Sequence, residues 1–287
     1  MSLKRPQDLV FTLFGEYLTR QKRPVWVGSL IALLKPFKVS EGAVRTVLSR
    51  MARKRWLSSR RVGRNSYYQL TARGRRVVEE GEARIFHPPH AETWDGRWCL
   101  LTYSVPEDVR HLRDRLRIGL SWLGFGSLGN GVWISPNDVQ DQAVGLAKVM
   151  GLEGNLVCFQ AHQVGAEDAA DLVRRCWDLP ALASRYVGFL GQWRPEMELC
   201  RTALEAGTLT DDRAFVLRFR LIHEYREFPL LDPYLPDVLL PEEWPGHTAA
   251  EVFHGLHDLL VAPSDRYVAA VLAREPAFLG RLRTVPA

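Results

Sequence analysis

Ser40-Glu41-Gly42-Ala43-Val44-Arg45-Thr46-Val47-Leu48-Ser49-Arg50-Met51-Ala52-Arg53 is the stretch whose reading decides the fold of the first ninety residues. Ser40 is a good helix N-cap, and Glu41 sets a carboxylate at the positive end of the helix dipole. At 100° per residue Val44, Val47, Leu48 and Met51 share one sector, the apolar stripe of a helix running from Glu41 to about Arg55. Thr46, Ser49 and Arg53 fall almost opposite, with Arg45 and Arg50 on the flanks. Such an outer face suits the DNA major groove, because a guanidinium grips guanine through two bonds and hydroxyls reach phosphates or base edges. An ordinary solvated surface helix carries the same pattern, so the flanking sequence must arbitrate.

Upstream, Leu9, Val10, Leu13, Phe14, Tyr17 and Leu18 recur at helical spacing and predict a first helix to about Thr19, ended by Arg20-Gln21-Lys22-Arg23-Pro24. Leu30, Ile31, Leu33 and Leu34 mark a second helix that stops near Pro36. Downstream, residues 56–61 and 66–70 read as strands around the turn Val62-Gly63-Arg64-Asn65, and Thr71 caps a fourth helix to about Phe86. Three helices, a hairpin and a helix are the order of a winged helix-turn-helix. The reading face would be Arg45, Thr46, Ser49, Arg50 and Arg53, and Arg60, Arg61 and Arg64 would sit on the wing, near DNA backbone or minor groove. Charge is distributed accordingly. Residues 1–90 hold 19 Lys and Arg against 6 Asp and Glu, whereas the rest holds 19 against 27. A basic lobe on an acidic body is what results when one domain meets a polyanion and the other does not.

At 287 residues, 46% hydrophobic and 25% charged, the chain has material for two or three globular domains. Its opening, Met1-Ser2-Leu3-Lys4-Arg5-Pro6, does not resemble a signal peptide, and no apolar run approaches the ~18 residues of a membrane span. Cys99, Cys158, Cys176 and Cys200 are widely spaced with no CxxC pair, as reduced core thiols of a cytoplasmic protein would be.

Beyond a linker at residues 88–96, residues 97–105 read as a buried strand and 107–123 as an amphipathic helix. Strands at 125–128 and 132–135 flank the turn Gly129-Asn130-Gly131, followed by a helix over 137–150 and a strand over 155–164. The order βαββαβ predicts a ferredoxin-like domain over 97–166. Residues 167–287 read as mainly helical, interrupted by a stiff apolar strap from Phe228 to Gly246 rich in proline, which is expected to pack rather than float. The fold class expected is α+β with three domains: 1–87, 97–166 and 167–287.

Several of these segments together resemble the PaaX family of bacterial repressors. They are Leu13-Phe14-Gly15-Glu16-Tyr17, Ala43 to Arg50, Arg61 to Tyr68, Leu70-Thr71-Ala72-Arg73-Gly74, Trp94-Asp95-Gly96-Arg97-Trp98, and His223-Glu224-Tyr225-Arg226-Glu227-Phe228-Pro229 with the run to Pro245-Gly246. The resemblance covers nearly the whole chain in order. It implies a three-domain homodimer that binds a palindromic double-stranded operator of an aromatic-compound operon and is released by a small effector, phenylacetyl-coenzyme A in the founding members. For the effector, Arg218, His223, Tyr225 and Arg226 are the candidate residues, their cations meeting a carboxylate or phosphates. Tyr225 or Trp244 could cover an aromatic group. Ion pairing of Arg218 and Arg226 within the acidic domain and burial of the aromatics explain the same residues more simply.

The central segment also resembles ferredoxin-like nucleases of CRISPR adaptation, which carry an Asp in a Tyr-Asp-Val context at the end of the first strand. Here that stretch is Tyr103-Ser104-Val105, and a serine does not replace a carboxylate for a hard cation. No catalytic residue, cofactor or metal site is therefore expected. His254 and His257, with His247 nearby, lack a further ligand at metal spacing and are expected on a solvated helix face. His87 and His90 are expected to be exposed. A DNA-binding architectural protein that senses nothing remains the non-catalytic alternative.

Overall fold

A computed structural model describes residues 6–19, 21, 23–87, 93–165 and 168–276. The chain divides into two compact units: residues 1–87, 192–226 and 251–287 form the first, and 88–191 with 227–250 the second.

The first unit opens with α1 (Pro6–Leu13), which passes directly into a π-helical turn over Phe14–Leu18. Thr19 closes that turn by donating its hydroxyl to the carbonyls of Phe14 (2.7 Å) and Gly15 (2.8 Å). The strand β1 (Val25–Trp26) follows, then α2 (Val27–Leu34) and α3 (Glu41–Arg53). The predicted hairpin is β2 (Leu57–Val62) and β3 (Asn65–Leu70), paired from Leu57 opposite Leu70 to Val62 opposite Asn65. Only Gly63 and Arg64 remain in the loop. Glycine at its first position, with φ +59°, is what a type II′ hairpin turn requires. Strand β1 adds to β3, so the sheet has the order β1-β3-β2. Two residues are too few to show a period, and the sequence reading missed this strand. Then α4 (Ala72–Phe86) starts at Thr71, whose hydroxyl accepts from the Gly74 amide at 3.0 Å. Gly74 has no alternative, since a Cβ there would lie 2.0 Å from the Trp56 carbonyl oxygen.

Three later helices are α8 (Leu179–Glu205), α9 (Asp211–Tyr225) and α10 (Pro245–Leu272). The part of α8 from 192, all of α9 and the part of α10 from 251 belong to the first unit. Phe215 and Phe219 of α9 are fully buried in one core with Leu13, Leu30, Val44, Leu48 and Met51, and Val268 and Leu272 of α10 close it. Phe37 stacks on Phe219 with ring centroids 4.0 Å apart. Helix α10 runs through Pro263, because packing of its apolar face outweighs the one backbone bond a proline forfeits.

In the second unit β4 (Arg97–Tyr103), β5 (Gly126–Gly129), β6 (Val132–Ser135) and β7 (Leu156–His162) form an antiparallel sheet of order β5-β6-β4-β7. Helices α5 (His111–Trp122) and α6 (Gln140–Val149) bury Leu116, Leu120, Ala143 and Ala147 against Cys99 and Leu101 of β4. Trp98, one residue out of step, turns to the other face and stacks on Trp177, just past α7 (Ala169–Cys176). The strap packs as expected: Phe228, Pro229, Leu235, Pro236, Leu239 and Trp244 are buried, and Phe228 stacks on Tyr186 at 4.1 Å. The Asn137 side-chain amide donates to the carbonyls of Pro233 (3.3 Å) and Tyr234 (2.9 Å).

Candidate nucleic-acid interface

The outer face of α3 is built by its own cap and core. Ser40 Oγ accepts from the Ala43 amide at 3.3 Å, and Val44, Val47, Leu48 and Met51 are buried. This fixes the helix rotation and leaves Arg45, Thr46, Ser49, Arg50 and Arg53 all exposed. Arg45 is held by Glu41 one turn earlier through two bonds of 2.9 and 2.7 Å. On the hairpin, Arg61 and Arg64 are exposed and Arg60 is half-buried; Arg61 Nε donates to the Gly63 carbonyl at 3.2 Å. The structure thus places all eight residues on the surface of one unit, on its helix α3 and its hairpin. Chemically these two elements offer guanidinium and hydroxyl groups to a polyanion.

The C-terminal candidates are placed otherwise. Arg218, 5% exposed, forms ion pairs with Glu16 and with Asp265 (2.9 Å), and its guanidinium lies 5.0 Å from the Tyr17 ring. His257 approaches Glu16 at 3.0 Å through Nε2. Burial acts to raise the Glu16 pKa, but the hydrogen bond of His257 and the charge of Arg218 outweigh it and hold the carboxyl below its ordinary value. The hydroxyls of Tyr17 and Ser264 are both buried, and burial pushes the Tyr17 phenol well above its usual range. Tyr17 borders a cavity of about 500 Å³ whose lining includes Glu16, Glu82, Arg218, His257 and Asp265. His223 meets the Thr12 hydroxyl at 3.1 Å, and burial, aided by Arg226, pushes its pKa down to about 4. Tyr225 stacks on Phe253 at 3.9 Å, and Arg226 binds the Asp8 carbonyl and the Thr12 hydroxyl, both at 3.1 Å. Of the four candidates, Arg218 lines this cavity.

Sequence reasoning missed Glu16, His257 and Asp265 as partners of Arg218. The available signal was a carboxylate, Glu16, flanked by Phe14 and Tyr17 in an apolar helix. The expectation of a solvated histidine face is corrected. His257 is largely buried against Glu16 and the Phe86 ring, and burial lowers the pKa of half-buried His254. His247 pairs with Asp237 at 3.1 Å. Among the described residues no group of three His, Cys, Asp or Glu side chains can hold a metal. His87 is exposed, whereas His90, Arg20 and Lys22 lie outside the described residues. All four cysteines are free thiols; Cys99 and Cys200 are buried, Cys158 and Cys176 partly so, and burial pushes Cys99 up to about 12. At Tyr103-Ser104-Val105 a cavity of about 390 Å³ is lined by Arg113 and Arg117 and by no carboxylate among the described residues. No helix of the described residues is long and apolar enough to cross a membrane.

Three family descriptions match in chain order: a PaaX-like protein over residues 5–74, the PaaX protein central Cas2-like domain over 91–173, and the PaaX-like protein C-terminal domain over 177–270. The transcriptional repressor PaaX of Escherichia coli (strain K12) is 36% identical over 260 residues, spanning 90% of this chain and 80% of that one. The chain belongs to the PaaX family. That relative is by name a transcriptional repressor. A solved structure, the uncharacterised protein Rv0674 from Mycobacterium tuberculosis, shares the fold of this PaaX-family chain. Its TM-score is 0.59 at 23% identity, over 93% of this chain and 98% of that one.

Proposed function

We propose that this PaaX-family protein is a transcriptional repressor of an aromatic-compound catabolic operon. It binds a palindromic operator as a homodimer and lets go when an aryl-coenzyme A thioester such as phenylacetyl-CoA, or a related aromatic acid, binds. The observation that carries the reading is the exposed row Arg45, Thr46, Ser49, Arg50 and Arg53 on a rigidly capped helix, with the arginine-bearing hairpin in the same unit. We read residues 1–87 as a winged helix: α3 enters the major groove and Arg60, Arg61 and Arg64 approach the backbone. The central 97–166 reads as ferredoxin-like, since β4 and β5 flank β6 and β6 and β7 flank β4, two interlocked split βαβ units. It serves dimerisation or coupling, and the helical remainder, 167–287, carries effector response. Arginines in place of carboxylates beside Ser104 argue against the nuclease alternative.

Footprinting on the DNA flanking the protein's own gene tests this. A protected pair of half-sites about one helical turn apart, or a multiple of it, is expected. Phenylacetyl-CoA should weaken binding about 5–150-fold, the range of ordinary coupling energies of ~1–3 kcal/mol. An asymmetric single-site footprint from a monomer, or DNA affinity indifferent to every aryl thioester and aromatic acid tried, contradicts the reading.

A further inference from the structure

A cleft of about 920 Å³ opens in the second unit among residues 169–180, Trp94 and the strap segment Val238-Leu239-Leu240-Pro241. That volume lies within the ~300–1,000 Å³ of small-molecule sites. One wall is aromatic. Trp94 and Trp177 are the outer members of a row of three indoles, with Trp98 between them at 4.9 and 6.4 Å. The facing wall is aliphatic, and its Val238 is 70% exposed, an apolar side chain standing in solvent at the rim. Arg174, in a solvent-exposed ion pair with Asp171 that an entering anion can compete for, and the exposed Arg175 supply cations. The one carboxylate lining the cleft among the described residues, Asp178, caps α8 by accepting from the Ala181 amide at 3.1 Å.

The walls are preformed. A Cβ on Gly126 would lie 2.5 Å from Cys176 Cβ and 2.7 Å from the Trp177 ring, so glycine at that place in β5 is what lets the indole seat against the sheet. The strap is fixed by Asn137 and by the Tyr186 hydroxyl, which donates to Asp232 at 2.7 Å. A wall that needs no ordering on binding keeps more of the contact energy as affinity.

Other cavities suit an aromatic anion less well. One of about 450 Å³ beside Trp244 presents Asp237 and Glu243. The one beside Arg218 presents Glu16, Glu82 and Asp265, and its guanidinium is already neutralised by two carboxylates. The one beside Ser104 has less than half the volume.

We propose that the Trp94–Trp177 cleft is the effector pocket. It takes an aromatic acyl group between the indole wall and the strap, and Arg174 and Arg175 meet the anionic remainder of the ligand. This assignment rests on the reading of the protein as a ligand-released repressor.

Titration calorimetry on the full chain with phenylacetyl-CoA, coenzyme A and phenylacetate tests it, alongside operator binding. Val238→Asp and Arg175→Glu each alter an exposed side chain at the rim, one adding a negative charge and the other reversing a positive one. Each is expected to weaken phenylacetyl-CoA binding tenfold or more, leaving melting temperature and unliganded operator affinity unchanged. Arg117→Glu, in the cavity beside Ser104, should bind the thioester as the unaltered chain does. If the unaltered chain binds none of the three probes, the proposal is overturned. Affinity within twofold in both rim variants, or loss in Arg117→Glu instead, also overturns the site while the ligand-released reading stands. Coenzyme A binding as tightly as its thioester removes the aromatic assignment. If the rim variants lose binding but phenylacetyl-CoA never releases DNA, the pocket stands and the release reading falls.

Discussion

Arginines occupy two opposed settings within the first unit. On α3 and the hairpin Arg50, Arg53, Arg61 and Arg64 are exposed, whereas Arg218 in α9 is buried between Glu16 and Asp265. An exposed guanidinium keeps its hydration and its charge for an external anion, and its removal barely touches the fold. A buried one has spent its charge on internal carboxylates, and its removal leaves them stranded in a low dielectric. The two settings therefore predict opposite phenotypes from the same substitution.

The largest effect is expected at the buried setting. Arg218→Ala leaves Glu16, 9% exposed, with only His257 as a partner among the described residues, and should lower stability by ~3–5 kcal/mol in urea unfolding. Arg218→Met combined with Glu16→Gln should cost less than the two single changes together, since the orphaned charge is gone. A loss below ~1 kcal/mol in Arg218→Ala would show that water or a moved side chain compensates, and the contrast between the settings would fail.

Acid probes the same interior. Unfolded His223 takes up a proton near pH 6.5, but in the folded chain burial and Arg226 delay this to about pH 4. The unfolded state thus binds more protons throughout that window, and stability falls as pH drops through it. From 2.5 units of separation the loss approaches ~3 kcal/mol. Glu16 acts in the same direction at lower pH, because its carboxyl is held below its usual value when folded. His223→Gln should flatten the pH dependence between 6.5 and 4. An unchanged slope would assign the acid response elsewhere.

At the exposed setting the readout moves from stability to DNA. Arg50→Ala should cost ~1–3 kcal/mol of operator affinity if it reads a base, with stability unchanged within ~0.5 kcal/mol. Arg64→Ala, at the hairpin tip, should weaken all sequences evenly and reduce the log–log salt slope by about 0.9 if it neutralises one phosphate. Operator binding like that of the unaltered chain in both would remove α3 and the hairpin from the interface.

The exposed setting was legible in the sequence and the buried one was not, for a physical reason. The periods of α3 and of the hairpin are local, so Val44, Val47, Leu48 and Met51 fix which face is bare, and Ser40 and Gly63 fix the ends. The partnership of Arg218 with Glu16 spans 202 positions and appears only when the helices pack. Residues 192–226 and 251–287 gather with the first 87, although every local cue placed them in a separate C-terminal stretch. The π-helical turn at Phe14–Leu18 has the same character, since Leu13, Phe14, Tyr17 and Leu18 fit an unbroken α period. The indole row was likewise hidden, because Trp94 and Trp98 are near neighbours but Trp177 arrives from α7.

The smallest predicted effect is the most discriminating, because its two readouts should move in opposite directions. Arg45 stands between the two settings: it is exposed, yet its guanidinium is held by Glu41 through two bonds. Both partners are more than half exposed, so the pair contributes only ~0–1 kcal/mol to the fold. To reach a base edge or a phosphate, Arg45 must leave Glu41, and the carboxylate then faces the DNA polyanion. Glu41→Gln removes both costs while weakening the first turn's interaction with the helix dipole by ~0.3–1 kcal/mol. The variant should therefore melt slightly lower and bind its operator severalfold more tightly, most clearly at low salt, where unscreened repulsion is greatest. Tighter binding that disappears in the Arg45→Ala background would assign the gain to the released guanidinium. Tighter binding that persists there would assign it to lost repulsion alone, and Arg45 would then be a solvated partner of Glu41 and no part of the reading face.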